Sequence, residues 1–278
     1  MKNKEIKKII IFCKLGLEDS LELNNIKNYL NSKNIEYLIY INDRKNEIEF
    51  DLENVGLLIS LGGDGNIISA CRYLANSNIP VFGVNAGNLG FLTEFKTTEF
   101  ETGMNEFLSG SYKLERPFLL SVQIKLNNGK ILQKYAFNDA VFNRANHLLL
   151  ADIKTSFKGD IFNNYNADGL IISTPSGSTA YNLSAGGSII YPLSRVFMLT
   201  PICSHSLTQR PIVLPKSFFI DVMSANCTLS IDGQEVFNKD EFKSVRIGLS
   251  NVRANIIRRK NSSFFRVLNE KLNWGEVR

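Results

Sequence analysis

The stretch Val55–Asn66, VGLLISLGGDGN, decides the fold. Its apolar run Val55-Gly56-Leu57-Leu58-Ile59-Ser60-Leu61 has the length and make-up of a strand buried on both faces. The run ends abruptly in Gly62-Gly63-Asp64-Gly65, and beyond it Ile67, Ala70, Cys71 and Leu74 recur at helical spacing. The glycines and their one carboxylate therefore occupy a strand-to-helix turn, with Asn66 as the N-cap candidate. In an open α/β sheet such a turn is where ligands bind. Glycines let backbone N–H groups approach an anion, and the helix N-terminus adds partial positive charge. A carboxylate repels phosphate, so Asp64 suits holding a metal ion or taking a proton from a hydroxyl. The same residues would also make a plain tight turn.

The 278 residues suffice for two modest domains or one large one, with ample core. A net charge of +5 suits anionic small molecules as well as nucleic acid and decides neither. Cys13, Cys71, Cys203 and Cys227 are scattered, with no C-x-x-C pair, and read as reduced core residues of a cytosolic protein. Two histidines exclude a His-rich metal centre. No apolar run reaches membrane-spanning length, and the start MKNKEIKKIIIFC reads as a first strand, its apolar part being too short for a signal peptide.

Outward from the glycine turn, strands and helices alternate. Ile6–Cys13 and Ile35–Ile41 read as strands, with Leu23, Ile26 and Leu30 at helical spacing between them; Lys45–Glu53 reads as a charged surface connection. Pro80–Val84 is a short buried strand leading into a second glycine turn, Asn85–Leu92, expected beside the first. Thr98-x-x-Glu101 reads as a capping box, with Phe100, Met104, Phe107 and Leu108 on one helical face. From Leu120 the period becomes two: Leu120–Leu126, a turn at Asn128-Gly129, Ile131–Phe137, Leu149–Phe157, then further runs at 169–173, 217–223, 228–231 and 245–249. The expected architecture is an α/β N-terminal domain with a doubly wound, Rossmann-like parallel sheet (1–112) and an all-β domain (113–252). A tail (253–278), with Phe264, Leu268 and Leu272 at helical spacing, packs back on the first.

Neither G-x-x-x-x-G-K-[ST] nor G-x-G-x-x-G occurs, and the nucleophile-elbow pattern around Ser176 fails at Thr174. The dense polar region is Asn166–Ser188, NADGLIISTPSGSTAYNLSAGGS, whose hydroxyls, small residues and Tyr181 suit close approach to a nucleotide. Asn138-Asp139 reads as a strand-end turn or a ribose-binding amide–carboxylate pair, and Asp232-Gly233-Gln234 as a hairpin turn. His205 reads as a partly buried, satisfied histidine, and Arg258-Arg259-Lys260 as a solvated face or helix start.

Together, LGGDGN at 61–66, VNAGNLGFLTEF at 84–95, FND at 137–139, ADGLIISTPSGSTAYNLSAGG at 167–187, TPICSHSLTQRPIVL at 200–214 and SIDGQ at 230–234 resemble the NAD kinase family. The glycine turn alone is shared with diacylglycerol and sphingosine kinases and phosphofructokinases; the 168–187 stretch is specific. The resemblance implies transfer of a phosphoryl group from ATP, or polyphosphate, to the 2′-hydroxyl of the adenosine ribose of NAD, giving NADP, with a divalent metal (Mg2+ or Mn2+) for which no protein ligand set is assigned. It implies that Asp64 activates the hydroxyl while Gly62, Gly63, Gly65, Asn66 and Phe91 bind phosphate and nucleotide. Asn138, Asp139, Asn166, Asp168, Ser176, Thr179, Ala180, Tyr181, Asn182, Leu183, Ser184 and Gln234 would bind NAD, Asp168 matching a residue contributed by a neighbouring subunit. Implied partners are NAD and ATP, with neither nucleic acid nor membrane, in a cytoplasmic homo-oligomer (dimer or tetramer) whose sites lie near subunit interfaces. Three positions depart from the family: Asp139 stands where many members carry Glu, Asn166 where some carry Arg, and Ser204 where a proline is common. A lipid kinase sharing the glycine turn would need an apolar cleft and membrane affinity, and a non-enzymatic NAD-binding regulator would tolerate loss of Asp64.

Overall fold

The computed structural model describes residues 6–43, 47–87, 90–146 and 148–274. Lys45 and Asn46 of the charged connection, and Asn88 and Leu89 of the second glycine turn, lie outside these. The chain divides into two units, Met1–Arg116 with Ala254–Arg278, and Pro117–Arg253.

The first unit starts with β1 (Lys8–Lys14), α1 (Leu21–Ser32), β2 (Glu36–Asn42), β3 (Val55–Gly62), α2 (Asp64–Tyr73) and β4 (Val81–Asn85). It continues with β5 (Phe95–Lys96), α3 (Phe100–Leu108) and β6 (Tyr112–Glu115). The second unit holds β7 (Phe118–Leu126), β8 (Ile131–Ala136), β9 (Asp139–Arg144), β10 (Ala151–Phe157), β11 (Asp160–Ala167), β12 (Gly169–Ser173) and α4 (Tyr181–Ser184). Then come β13 (Val196–Ile202), β14 (Ile212–Pro215), β15 (Phe219–Ala225), β16 (Cys227–Ile231), β17 (Glu235–Phe237) and β18 (Phe242–Arg253). The chain re-enters the first unit as β19 (Ile256–Arg259) and α5 (Phe264–Leu272).

The first unit's sheet runs β2-β1-β3-β4-β19-β6, with β5 beside β4. β1, β2, β3 and β4 pair in parallel; the near-continuous apolar runs of β1, β3 and β4 are buried as such strands require, while β2, at the sheet edge, is half-exposed. Ile9, Ile11, Leu57, Ile59, Leu61, Phe82 and Val84 form the core with Leu23, Ile26 and Leu30 of α1 and Phe100, Met104 and Phe107 of α3. α1 begins where the Ser20 hydroxyl accepts the Leu23 N–H. The Thr98–Glu101 capping box does not form: a 3-10 turn over Thr97–Glu99 precedes α3, and the Glu99 carboxylate accepts the Lys96 N–H.

The tail does more than dock a helix. Ile256 pairs in parallel with Val81 of β4, and Ile256–Arg259 pair antiparallel with Tyr112–Glu115, so β19 fills the gap between β4 and β6. The second unit has two six-stranded sheets, β11-β10-β15-β18-β7-β8 and β14-β13-β12-β9-β16-β17, antiparallel throughout, sharing one apolar core. β11 carries no sequence signal of its own: in DIFNNYNA only Tyr165 and Ala167 are buried.

Candidate active site

In the first unit everything converges on the turn after β3. Parallel pairing aligns Gly62 with Asn85, so both glycine turns leave the same sheet edge side by side, and the Ala86 N–H donates to the Gly62 carbonyl. The helix α2 starts at Asp64 with Gly63 as its cap, not at Asn66. Asn66 lies inside the helix, 2 % exposed, and its amide ties β1 and β3 together. Nδ2 donates to the Phe12 carbonyl at 2.8 Å and the Ser60 hydroxyl at 2.9 Å, while Oδ1 accepts from Asn42 at 2.7 Å. Asn66 therefore acts by holding the turn; its polar atoms already have partners inside the unit.

The Asp64 carboxylate reaches across to the second turn. Oδ2 accepts the Phe91 N–H at 2.6 Å, and Oδ1 accepts those of Leu92 at 3.0 Å and Thr93 at 3.1 Å. The Gly90 N–H donates to the Thr93 hydroxyl at 3.0 Å, closing that turn on itself. The opposite side of the turn is held by Arg258, whose guanidinium donates to the Leu92 carbonyl at 2.9 Å and the Phe91 carbonyl at 3.2 Å. Glu94 and Glu115 flank it at 3.5 and 3.3 Å. Arg258 is thus buried on β19, and neither a solvated face nor a helix start. Asn85 is also buried, and its Nδ2 has no hydrogen-bond partner among the described residues.

A divalent metal finds no protein cage: among the described residues no group of three or more His, Cys, Asp or Glu could hold one. Asp64 is the carboxylate of the glycine turn, and three N–H groups already occupy it. That donor set fits a hard cation bound chiefly through substrate phosphates and water, with at most one protein carboxylate.

In the second unit three segments meet at one end of the β12–β9–β16 ladder. The Asp232 carboxylate accepts the N–H groups of Phe137 and Asn138, both at 2.7 Å, and of Asp139 at 3.0 Å. Thr174 clamps the same turn: its hydroxyl donates to the Phe137 carbonyl at 2.6 Å, and its N–H to the Asn138 carbonyl at 2.8 Å. Gly177 packs so closely on the Asn138 backbone that a Cβ would meet its carbonyl carbon at 2.5 Å. Among the described residues the Asn138 side chain makes no hydrogen bond, so a rigid backbone presents an unengaged amide. Asp139 is 5 % exposed and opens β9. Burial, and secondly the Asp232 charge, push its carboxyl up to about 7. Asp232 and Gly233 turn the chain in left-handed backbone between β16 and β17, a hairpin turn that leads to Gln234.

The Ser176–Ser184 segment folds back from the end of β12. Ser176 and Thr179 are half-buried in a 3-10 turn, followed by Ala180, exposed Tyr181, and Leu183 and Ser184 at the end of α4. Asn182 points inward: Nδ2 donates to the Ser178 carbonyl at 3.1 Å and Oδ1 accepts the Thr200 hydroxyl at 2.6 Å. It pins α4 to β13, so its amide belongs to the scaffold. Asp168 and Asn166 lie by the opposite end of β12, Asp168 about 17 Å from Ser173 at strand rise. There Asp168 pairs with Arg144 at 2.9 Å, and His205, exposed instead of partly buried, donates its backbone N–H to the Asn166 carbonyl.

Sequence reasoning missed Asp232 and Arg258 as organisers of these turns. Both act on backbone groups far away in sequence, which no local pattern records.

Residues 13–112 match the family model described as the ATP-NAD kinase N-terminal domain, and residues 137–259 match the ATP-NAD kinase C-terminal domain. The chain belongs to the NAD kinase family. It is 45 % identical to the NAD kinase of Campylobacter lari over 273 residues, 98 % of each chain. Its fold resembles that of an Archaeoglobus fulgidus NAD kinase solved in complex with ATP, with a TM-score of 0.79 at 25 % identity over 96 % of this chain and 98 % of that one. A yeast NADH kinase solved with NADH shares the fold with a TM-score of 0.85 at 23 % identity, over 99 % of this chain and 90 % of the other. No helix among the described residues is long and apolar enough to cross a membrane.

Proposed function

We propose that the protein is an NAD kinase that moves the terminal phosphoryl group of ATP to the 2′-hydroxyl of the adenosine ribose of NAD, giving NADP. Besides family membership, the observation that carries this reading is the Asp64 carboxylate, immobilised at the carboxyl edge of a parallel sheet among Gly62, Gly63 and Gly65. Phosphoryl transfer asks for in-line positioning and charge stabilisation more than covalent chemistry. Asp64 takes the hydroxyl proton, and backbone N–H groups of the glycine turn and the α2 N-terminus face the phosphates. Phe91 lies beside them. Asn138 and Asp139 hold the adenosine part, and Ser176, Thr179, Ala180, Tyr181, Leu183, Ser184 and Gln234 line the dinucleotide pocket. A divalent cation, Mg2+ or Mn2+, would be held through the ATP phosphates with at most the Asp64 carboxylate from the protein, and would supply charge neutralisation there.

Asp168 and Asn166 serve a neighbouring copy in this reading. Their place at the end of β12 away from Ser173 and the Ser176–Ser184 segment supports that assignment, as do the exposed apolar residues Ile161 and Phe162 on β11 and Ile212 and Val213 on β14, both edge strands. A homo-oligomer, dimer or tetramer, covers those edges. Four free cysteines, three of them buried, suit the reducing cytoplasm.

The test is incubation with NAD, ATP and magnesium, scored for NADP with an NADP-specific dehydrogenase. Asp64→Asn is expected to lower turnover by at least about 10²-fold, the low end of general-base help, while NAD still binds. Near-normal turnover of Asp64→Asn, or phosphate found on the nicotinamide ribose or on a lipid, overturns the reading.

A further inference from the structure

We infer that Arg258 is a positioning residue for Asp64, acting through two peptide units of the Phe91–Thr93 turn. The inference rests on the reading of Asp64 given above. The Phe91 carbonyl and the Leu92 N–H belong to one peptide unit, and the Leu92 carbonyl and the Thr93 N–H to the next. In a trans peptide the two groups point in opposite directions. Arg258 donates to both carbonyls, and both N–H groups donate to Oδ1 of Asp64. Each unit is therefore a bridge with a guanidinium at its oxygen and a carboxylate at its hydrogen. A charged donor on a carbonyl polarises the amide and strengthens its N–H as a donor. The planar fork of arginine matches two adjacent carbonyls, which a lysine point charge does not.

The consequence is asymmetric. Among the described residues Oδ1 takes two N–H bonds, filling its acceptor directions, whereas Oδ2 takes one, from Phe91, whose peptide unit Arg258 does not touch. Arg258 thus fixes the idle oxygen and turns Oδ2, with one free direction, into the proton acceptor. A purely structural role is the competing account, because Arg258 is buried and flanked by Glu94 and Glu115. The two accounts differ in which contacts matter. Positioning depends on the carbonyl bonds, and structural pairing on the carboxylates.

Arg258→Lys keeps the charge next to both glutamates and loses the fork. We expect its kcat to fall about tenfold with KM for NAD within about twofold, and exchange of the Leu92 and Thr93 amide protons to quicken about tenfold while that of Phe91 changes less. Glu115→Gln leaves the fork in place, so it is expected to lower Tm with kcat kept within about twofold. Unchanged kcat in Arg258→Lys overturns the inference, as does uniform exchange at all three amides, or loss of kcat in Glu115→Gln in step with its Tm. Asp64→Asn run in parallel separates the two levels: if it stays active, the assignment of Asp64 fails, and if it is dead while Arg258→Lys is unimpaired, the relay through Arg258 alone fails.

Discussion

Gly90→Ala tests the active-site geometry with a single methyl group. The substitution strains no dihedral, because Gly90 does not lie in left-handed backbone; the obstacle is space. A Cβ there would lie 1.8 Å from Asp64 Oδ1, and under 3.0 Å from Cγ and Oδ2 as well. Ordinary contact begins at 3.4 Å, so turn and carboxylate must separate by about 1.6 Å. The bonds to Leu92 and Thr93, now 3.0 and 3.1 Å, would then exceed hydrogen-bond range. Each N–H bond to a charged acceptor contributes roughly 1.5–3 kcal/mol, and a reacting group misplaced by about 1 Å loses roughly 10²-fold in rate. We therefore expect kcat to drop about 100-fold, with KM for NAD changed less than about threefold because Asn138 and its neighbours are untouched. The assay is initial-rate NADP formation coupled to an NADP-specific dehydrogenase, with circular dichroism to confirm folding. A folded Gly90→Ala protein with kcat within about threefold of the parent refutes the geometry.

Two further predictions concern the second unit. Asp139 has its carboxyl raised from 3.8 to about 7 by burial and by Asp232, so the protonated form stabilises the fold fully below about pH 4, and that contribution is lost as pH rises through about 7. At about 1.4 kcal/mol per unit this reaches the order of 4 kcal/mol. Asp139→Asn, which does not titrate, should gain more Tm over the parent at pH 8 than at pH 4, where both states of the parent are largely protonated; an equal difference at both values contradicts the assignment. Gly177→Ala should raise KM for NAD about tenfold with a smaller loss of kcat, since its Cβ would come 2.6 Å from the Asn138 Cα and push that backbone aside. Calorimetric titration with NAD showing unchanged affinity would contradict the role of Asn138.

The centre of the fold was legible because β3 and α2 obey two simple periods and the glycines mark where one becomes the other. Local rules failed where a tertiary contact outbid them. Asn66 follows the glycines like a cap, but Gly63 alone starts the helix and the Asn66 amide goes to Phe12, Ser60 and Asn42. Arg258-Arg259-Lys260 looked solvated because charge in sequence says nothing about a buried carbonyl pair across the sheet. β11 was invisible because it is an edge strand with one polar face and three asparagines. Asp232 was legible as a turn residue; that its carboxylate gathers three amides of the 137–139 turn was not, because those amides lie more than ninety positions away.

The place of β19 in the sheet has a consequence for synthesis. A ribosome delivers β4 and β6 early, then the whole second unit, and only afterwards the strand that lies between them. Until then both strands have open edges, and the Phe91–Thr93 turn lacks its guanidinium. A nascent or prematurely terminated chain ending before Ala254 therefore carries Asp64 and every glycine of its turn, but lacks the strand beside β4 and the Arg258 bonds to the Phe91 and Leu92 carbonyls. Completion of the Asp64 turn is thus deferred until the whole second unit has been translated, and the order of synthesis sets a check between an unfinished chain and one that can consume ATP.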